Sequence, residues 1–184
     1  MATHARSTAA SEPPLDPRER ILAIADVVLY RDGIQQTSIE AIATAAGVSR
    51  RQFSKNFATK EHLVVAYIND RHDRDARLLG AAAETDISHH MVFNMVLSEI
   101  IADVNTPGFR GCAFLNAIVE CPELEGVQRA IAEHREWYLA QATELLRAAG
   151  HQRPADAAVT LMAARDEAMD SKYGDDATAA TAGL

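Results

Sequence analysis

The sequence predicts an all-α chain of about nine helices. It places a three-helix helix-turn-helix unit at the N-terminus and a larger helical domain after it. Three observations carry this. Residues 37–60, TSIEAIATAAGVSRRQFSKNFATK, contain two short amphipathic stretches joined at Ala46-Gly47-Val48-Ser49, with a third helix start directly behind them. Pairs spaced as capping boxes open three successive helices: Asp16 with Glu19, Thr37 with Glu40, and Ser49 with Gln52. No alternating strand pattern runs for any length, and Pro and Gly are few, 6 and 9 in 184 residues.

The first helix starts at Asp16, where Pro17 suits the first helical position. It runs through Ile21, Leu22, Ala25, Val28 and Leu29 to a left-handed cap at Gly33. The second opens at Thr37 and buries Ile39, Ile42 and Ala46. The third opens at Ser49 and buries Phe53 and Phe57, four residues apart. Thr59 caps a fourth helix, which reaches through RHDRDARLL toward Gly80 as a connector. A fifth is expected over 87–104, with Met91, Met95, Val96, Ile100 and Ile101 inward. Asn105-Thr106-Pro107-Gly108 breaks the chain. A short apolar helix over 111–120 stops at Cys121-Pro122, a long one covers 123–149, and the last runs from about 155 to 173. The domains expected are a disordered arm at 1–15, the helix-turn-helix unit at 16–63 and the second domain at 64–184.

Bulk properties narrow the function classes. Residues 1–63 hold 8 Lys/Arg against 7 Asp/Glu, and residues 64–184 hold 10 against 19, which together give the net charge of −8. The acidic remainder would repel phosphate, so only the N-terminal unit should face nucleic acid. No apolar run approaches the ~20 residues of a membrane span. The start, MATHARSTAASEPPLDP, lacks the apolar core of a secretory signal. Cys112 and Cys121 on one helix would sit about 13 Å apart, too far for a disulfide, and a reducing cytoplasm is the plain inference.

Between residues 50 and 60 there is no acidic residue, and Arg50, Arg51, Lys55 and Lys60 are cationic. A short basic helix is what the major groove of DNA admits. Arg51, Gln52, Lys55 and Asn56 lie beside or opposite the Phe53/Phe57 stripe and are the candidate base readers; Gln52 also serves its capping box. Thr37, Ser38, Arg50, Ser54 and Lys60 are placed for phosphates, at or near helix N-termini, and Ser49 is a further candidate for DNA contact. One such helix contacts too few base pairs, so a homodimer on pseudo-palindromic double-stranded DNA is expected. Ala157, Ala158, Ala163, Ala164 and Ala168 offer close packing between the last two helices of each copy.

In the second domain Met91, Phe93, Met95, Phe114, Trp137 and Tyr138 can line an apolar pocket or form plain core. His89-His90 and His134 have no tight metal-ligand spacing, and surface histidines are the expectation, with no metal and no cofactor. Cys112 and Cys121 offer a redox-sensing alternative. No Ser-His-Asp order, Gly-rich phosphate loop or carboxylate pair stands out, so an enzyme or a helical interaction adaptor is the weaker class.

Residues 37–63 resemble the TetR family of bacterial transcriptional repressors. The matching positions are Thr37 and Ser38, Ile42-Ala43, Ala46-Gly47-Val48-Ser49, Phe57, and Thr59-Lys60-Glu61 with Leu63. Gln52 and Ser54 stand where that family often has Thr and Tyr. Further on, Arg110–Ala117 resembles a Gly-Cys-x-x-x-Asn-Ala segment of one branch. Arg165-Asp166-Glu167-Ala168-Met169 resembles an Asp-Gly-Ala segment of its last helix, with Glu167 in place of Gly. The resemblance implies a ligand pocket in the second domain and a homodimer through the last two helices. Together with the Met and aromatic cluster it leads to the expectation of a small, largely apolar effector bound between the helices at 87–104, 111–120 and 123–149 near Trp137, and of repression relieved by that effector.

Overall fold

The computed structural model describes residues 15–84 and 89–170. Among the described residues there are eight α-helices and no strand: α1 (Pro17–Asp32), α2 (Ile39–Ala45), α3 (Arg50–Asn56), α4 (Lys60–Glu84), α5 (His89–Val104), α6 (Ala113–Glu120), α7 (Glu125–Ala148) and α8 (Pro154–Asp170). The expected arm lies outside the described residues apart from Leu15, as do residues 87–88 expected in the fifth helix and 171–173 expected in the last.

Local chemistry sets the first three helices. Asp16 and Glu19 close both bonds of their capping box, at 2.9 and 3.0 Å. Ile21, Ala25 and Leu29 then face inward. Gly33 ends α1 at φ 92° and ψ 149°, so its φ is positive as expected but the chain leaves extended rather than in the left-handed helical region.

The cap of α2 is one residue later than expected. Thr37 is buried, and its hydroxyl donates to the Gly33 carbonyl at 2.7 Å. That inward turn removes it from the capping role, which passes to Ser38, whose Oγ accepts the Ala41 N–H at 3.1 Å. Glu40, released from the expected box, pairs with Arg50 of α3 instead. The Ser49/Gln52 box is formed as expected. Phe53 and Phe57 meet at 6.0 Å between ring centroids and fill the space among α1, α3 and α4.

Helix α4 is the spine. It runs past Gly80 to Glu84; its first half buries Leu63, Val64, Tyr67 and Ile68 against α1, and α7 packs along it. Helix α7 also packs on α8, and α5 lies against both. In α5 the inward stripe is Leu97, Ile100 and Val104, so Met91, 55% exposed, and Ile101, 36% exposed, fall outside it, against expectation. The side chains of His89, His90, Phe93, Met95 and Val96 lie outside the described residues. No helix among the described residues is long and apolar enough to cross a membrane.

Candidate functional site

The surface presented by α2, α3 and the start of α4 is built by the caps. Ser49 accepts the Gln52 N–H at 3.2 Å, while Gln52 Oε1 accepts the Ser49 N–H at 3.0 Å and the Ser49 hydroxyl at 3.1 Å. Gln52 is thus folded over the helix start, with its amide nitrogen the remaining polar end. Phe53 and Phe57 face the core, which turns Arg50, Arg51, Gln52, Ser54 and Lys55 to solvent. Arg50 is held by Glu40, whereas Arg51 and Lys55 enter no ion pair among the described residues. Asn56 is half-buried and donates to the Gln52 carbonyl at 2.8 Å. Ser38 is exposed at the start of α2, and Thr37 is not on this surface. Lys60 Nζ donates to the Gln35 carbonyl at 3.3 Å, at the rim of the same face.

Behind this face, the turn after α1 is gripped by α6. The Glu120 carboxylate accepts the N–H groups of Ile34 and Gln35, and Gln35 Nε2 donates to the Glu120 carbonyl at 2.7 Å. A Cβ at Gly33 would stand 3.1 Å from Glu120 Oε2, so the grip needs glycine there for room as well as for φ. A second clamp closes the end of α1. Tyr30 Oη donates to the Gly111 carbonyl and accepts the Arg110 N–H, both at 2.9 Å, and Arg110 Nη1 donates to the Tyr30 carbonyl at 2.8 Å. Burial raises the Tyr30 phenol above its ordinary pKa, so it stays protonated and can donate.

Between these clamps lies a cavity of about 440 Å³. Its walls come from α1 (Asp26, Val27, Tyr30, Arg31), α4 (Arg71, Arg74, Asp75), the 103–112 segment, the start of α6 and α8 (Arg165, Met169). Asp26 takes Arg71 and Arg74 at 3.0 Å each, Arg74 also holds Asp70 at 2.5 Å, and Arg71 lies over the rings of Tyr30 and Tyr67. On the far wall Arg165 lies 4.9 Å over the Tyr138 ring, with Nη1 3.5 Å from Asp166 and 3.9 Å from Cys112 Sγ. A wider groove of about 710 Å³, walled by His62, Asp70, Asp73, Glu125 and Arg129 among others, runs between α1, α4 and α7.

Beside the cavity sits a ring cluster. Phe114 stacks on His134 at 3.6 Å between centroids, and His134 meets His72 with Nδ1 atoms 3.2 Å apart. Trp137 packs edge-on against His72. Burial first, then the nearby Arg165, His72 and Arg135, pull the His134 pKa down to about 3.

The model of the bacterial regulatory proteins of the tetR family matches residues 21–67. A TetR-family transcriptional regulator from Streptomyces coelicolor is 32% identical, with 90% of this chain and 88% of that one covered at a TM-score of 0.79.

The chain belongs to the TetR family.

It is therefore a DNA-binding transcriptional regulator rather than an enzyme. A putative TetR-type regulator from Streptomyces avermitilis is 25% identical over 92% of this chain and 97% of that one, with a TM-score of 0.74. The reduced form of E. coli NemR, 17% identical over 92% of this chain and 93% of that one, shares the fold at a TM-score of 0.81. No curated protein matches the chain.

In this TetR-family chain the candidate residues separate into groups. Ser38, Ser49, Arg50, Arg51, Gln52, Ser54 and Lys55 are exposed on α3 and at the caps of α2 and α3, Asn56 and Lys60 are half-buried, and Thr37 is a buried strut. Of the candidate ligand residues, Phe114 lines the cavity. Trp137 and Tyr138 do not; they pack on His72 and under Arg165. Met91 is exposed, and the Met95 side chain lies outside the described residues. The cavity is more charged than the Met and aromatic residues suggested. His134 is 3% exposed rather than a surface residue. Sequence reasoning missed Glu120, Tyr30, Arg71 and Arg165 as site residues. Only Arg165 carried a signal, as a charge at the head of the Arg165–Met169 segment.

Proposed function

We propose that this TetR-family regulator represses transcription as a homodimer on a pseudo-palindromic operator and releases it when a small molecule fills the cavity behind α1. The reading assigns residues 16–63 to the DNA unit and 64–184 to sensing and dimerisation. Arg51 and Lys55 reach base edges, with Gln52 and Asn56 beside them. Ser38, Ser49, Arg50, Ser54 and Lys60 hold phosphates. Two copies place their α3 helices ~34–36 Å apart, one turn of DNA. The outward stripe of α8, with Val159 56% exposed and Ala163 exposed, supplies the apolar and small residues for a helix interface, while Ala158 and Ala168 serve the core of their own chain.

The observation that carries the reading is the double clamp on the end of α1. One cavity wall is α1 itself, and α6, which carries Phe114 into that cavity, ends at Glu120 on the turn before α2. A ligand that moves Phe114 or Tyr30 therefore moves the turn that Lys60 also grips. The effector must bind the DNA-free form more tightly, and DNA must weaken the effector by the same factor. The test is operator selection from random DNA, followed by affinity measurement with and without ligands found by calorimetry. A ligand bound equally tightly in both states refutes release.

A second reading, redox sensing, is favoured at Cys112 alone. Its thiol lines the cavity 3.9 Å from Arg165 Nη1, whereas burial raises the Cys121 thiol and keeps it unreactive. Loss of operator binding on mild oxidation, absent in Cys112→Ser, would select it.

A further inference from the structure

We infer that the cavity takes an organic monocarboxylate, with its carboxylate on Arg165 and its apolar body against Phe109, Phe114 and Met169. This rests on the cavity being the effector site and adds the chemical class of the ligand. The argument is a charge inventory. At the α1 and α4 side, Asp26 and Asp70 answer Arg71 and Arg74, and Asp32 answers Arg31, three carboxylates for three guanidiniums. At the α8 side the count differs. Asp166 is bound by Arg135 at 2.8 Å, and Arg165 must share it at 3.5 Å.

The other partners of Arg165 are the Cys112 sulfur, a weak acceptor, and the Tyr138 ring. Asp75 also acts electrostatically on the same cation. Burial opposes the charge of Arg165, and these neighbours offset that cost. A guanidinium carries five N–H donors in a fork that fits a carboxylate in two parallel bonds. Arg165 is 12% exposed at its side chain and stands at the cavity wall with most of that capacity unspent.

The remaining walls choose among anions. Asp75 and Asp103 also line the space, besides Asp26, whose charge Arg71 and Arg74 already answer. They repel a second negative charge, so a phosphate dianion or a dicarboxylate is disfavoured. Phe109, Phe114 and Met169 form the apolar part and would hold a chain or a ring. A monoanion bound here lies between Arg165 and Tyr30, where it bears directly on the clamp at Gly111.

The test uses the full chain without DNA, and calorimetry with octanoate and phenylacetate, each against its primary amide. At least one acid should bind, and at least about tenfold more tightly than its amide. Arg165→Gln should abolish that preference, and Arg165→Lys, which keeps the charge, should retain it with weaker binding. Should Arg165→Gln fail to fold, the acid-to-amide ratio on the native chain and on Arg165→Lys decides. No binding by either acid, equal binding of acid and amide, or a preference that survives Arg165→Gln overturns the inference. Arg165-dependent binding of an acid that leaves operator affinity unchanged would instead refute release and leave the carboxylate site standing. Operator release by the neutral amides alone would do the opposite.

Discussion

Glu120 Oε2 accepts the backbone N–H of Ile34 at 2.5 Å across 86 residues of sequence, and the same oxygen takes Gln35 N–H at 3.2 Å. These amides follow α1, and no helix uses them. Glu120→Ala leaves both without their acceptor and should cost about 1–3 kcal/mol. Denaturant unfolding measures the loss. Hydrogen exchange should show Ile34 and Gln35 amides losing protection while α7 and α8 keep theirs. Unchanged protection would show that the carboxylate is ornamental.

Arg51 and Lys60 should behave differently on DNA. Arg51→Ala should cost ~1–3 kcal/mol on the selected operator and relax base preference. Lys60→Ala should weaken all sequences alike and reduce the salt slope by about one. Because Lys60 also donates to Gln35, its variant should be checked for an intact thermal transition first. Equal losses on operator and random DNA for both variants would remove Arg51 from base reading.

His134 predicts an acid sensitivity with a definite sign. Its folded pKa, about 3, lies below the ordinary 6.5, so the unfolded chain takes the proton first as pH falls. Its contribution to stability is complete above about pH 6.5 and is lost as pH drops from there toward 3. At pH 5 the loss from this group is about 2 kcal/mol. Unfolding curves of the native chain and His134→Phe between pH 7 and pH 5 should converge by that amount. Parallel curves would mean that His134 takes up its proton at the same pH in the folded and unfolded chain.

Gly111 has φ 80°, and a Cβ there would come within 2.7 Å of the Met169 carbonyl oxygen. Gly111→Ala should therefore destabilise by about 2 kcal/mol through backbone conformation and displacement of α8. It should also loosen the Tyr30 contact to the Gly111 carbonyl. A thermal midpoint equal to that of the native chain would contradict both effects.

What was legible in the sequence is what is decided within four residues. Asp16 with Glu19 and Ser49 with Gln52 announce helix starts because a cap needs only its own first turn. Thr37 shows the limit: its hydroxyl had two local choices, and packing behind α1 selected Gly33. Helical spacing marked Met91 and Ile101 as apolar but could not say which arc of α5 meets α7 and α8. Glu120, Tyr30 and Arg165 act through partners 53 to 86 residues away, so no local pattern betrays them. The α3 face was readable for the same reason that the cavity was not: one is built from contiguous residues, the other from four separate segments.

The placement of Asp26 and Tyr30 bears on how such regulators can be recombined. Both belong to the helix that supports α3, yet Asp26 is completed by Arg71 and Arg74, and Tyr30 by the backbone at Gly111. A fragment ending near residue 63 would carry a half-buried carboxylate stripped of both cations and would bare the surface that Val64, Tyr67 and Ile68 cover. Grafting a foreign sensor behind this reader head at that junction thus severs a shared seam. If effector release runs as proposed, a transplant that preserves signalling has to move Asp26, Tyr30 and Gly33 together with their counterparts Arg71, Arg74, Gly111 and Glu120, as a single heritable set.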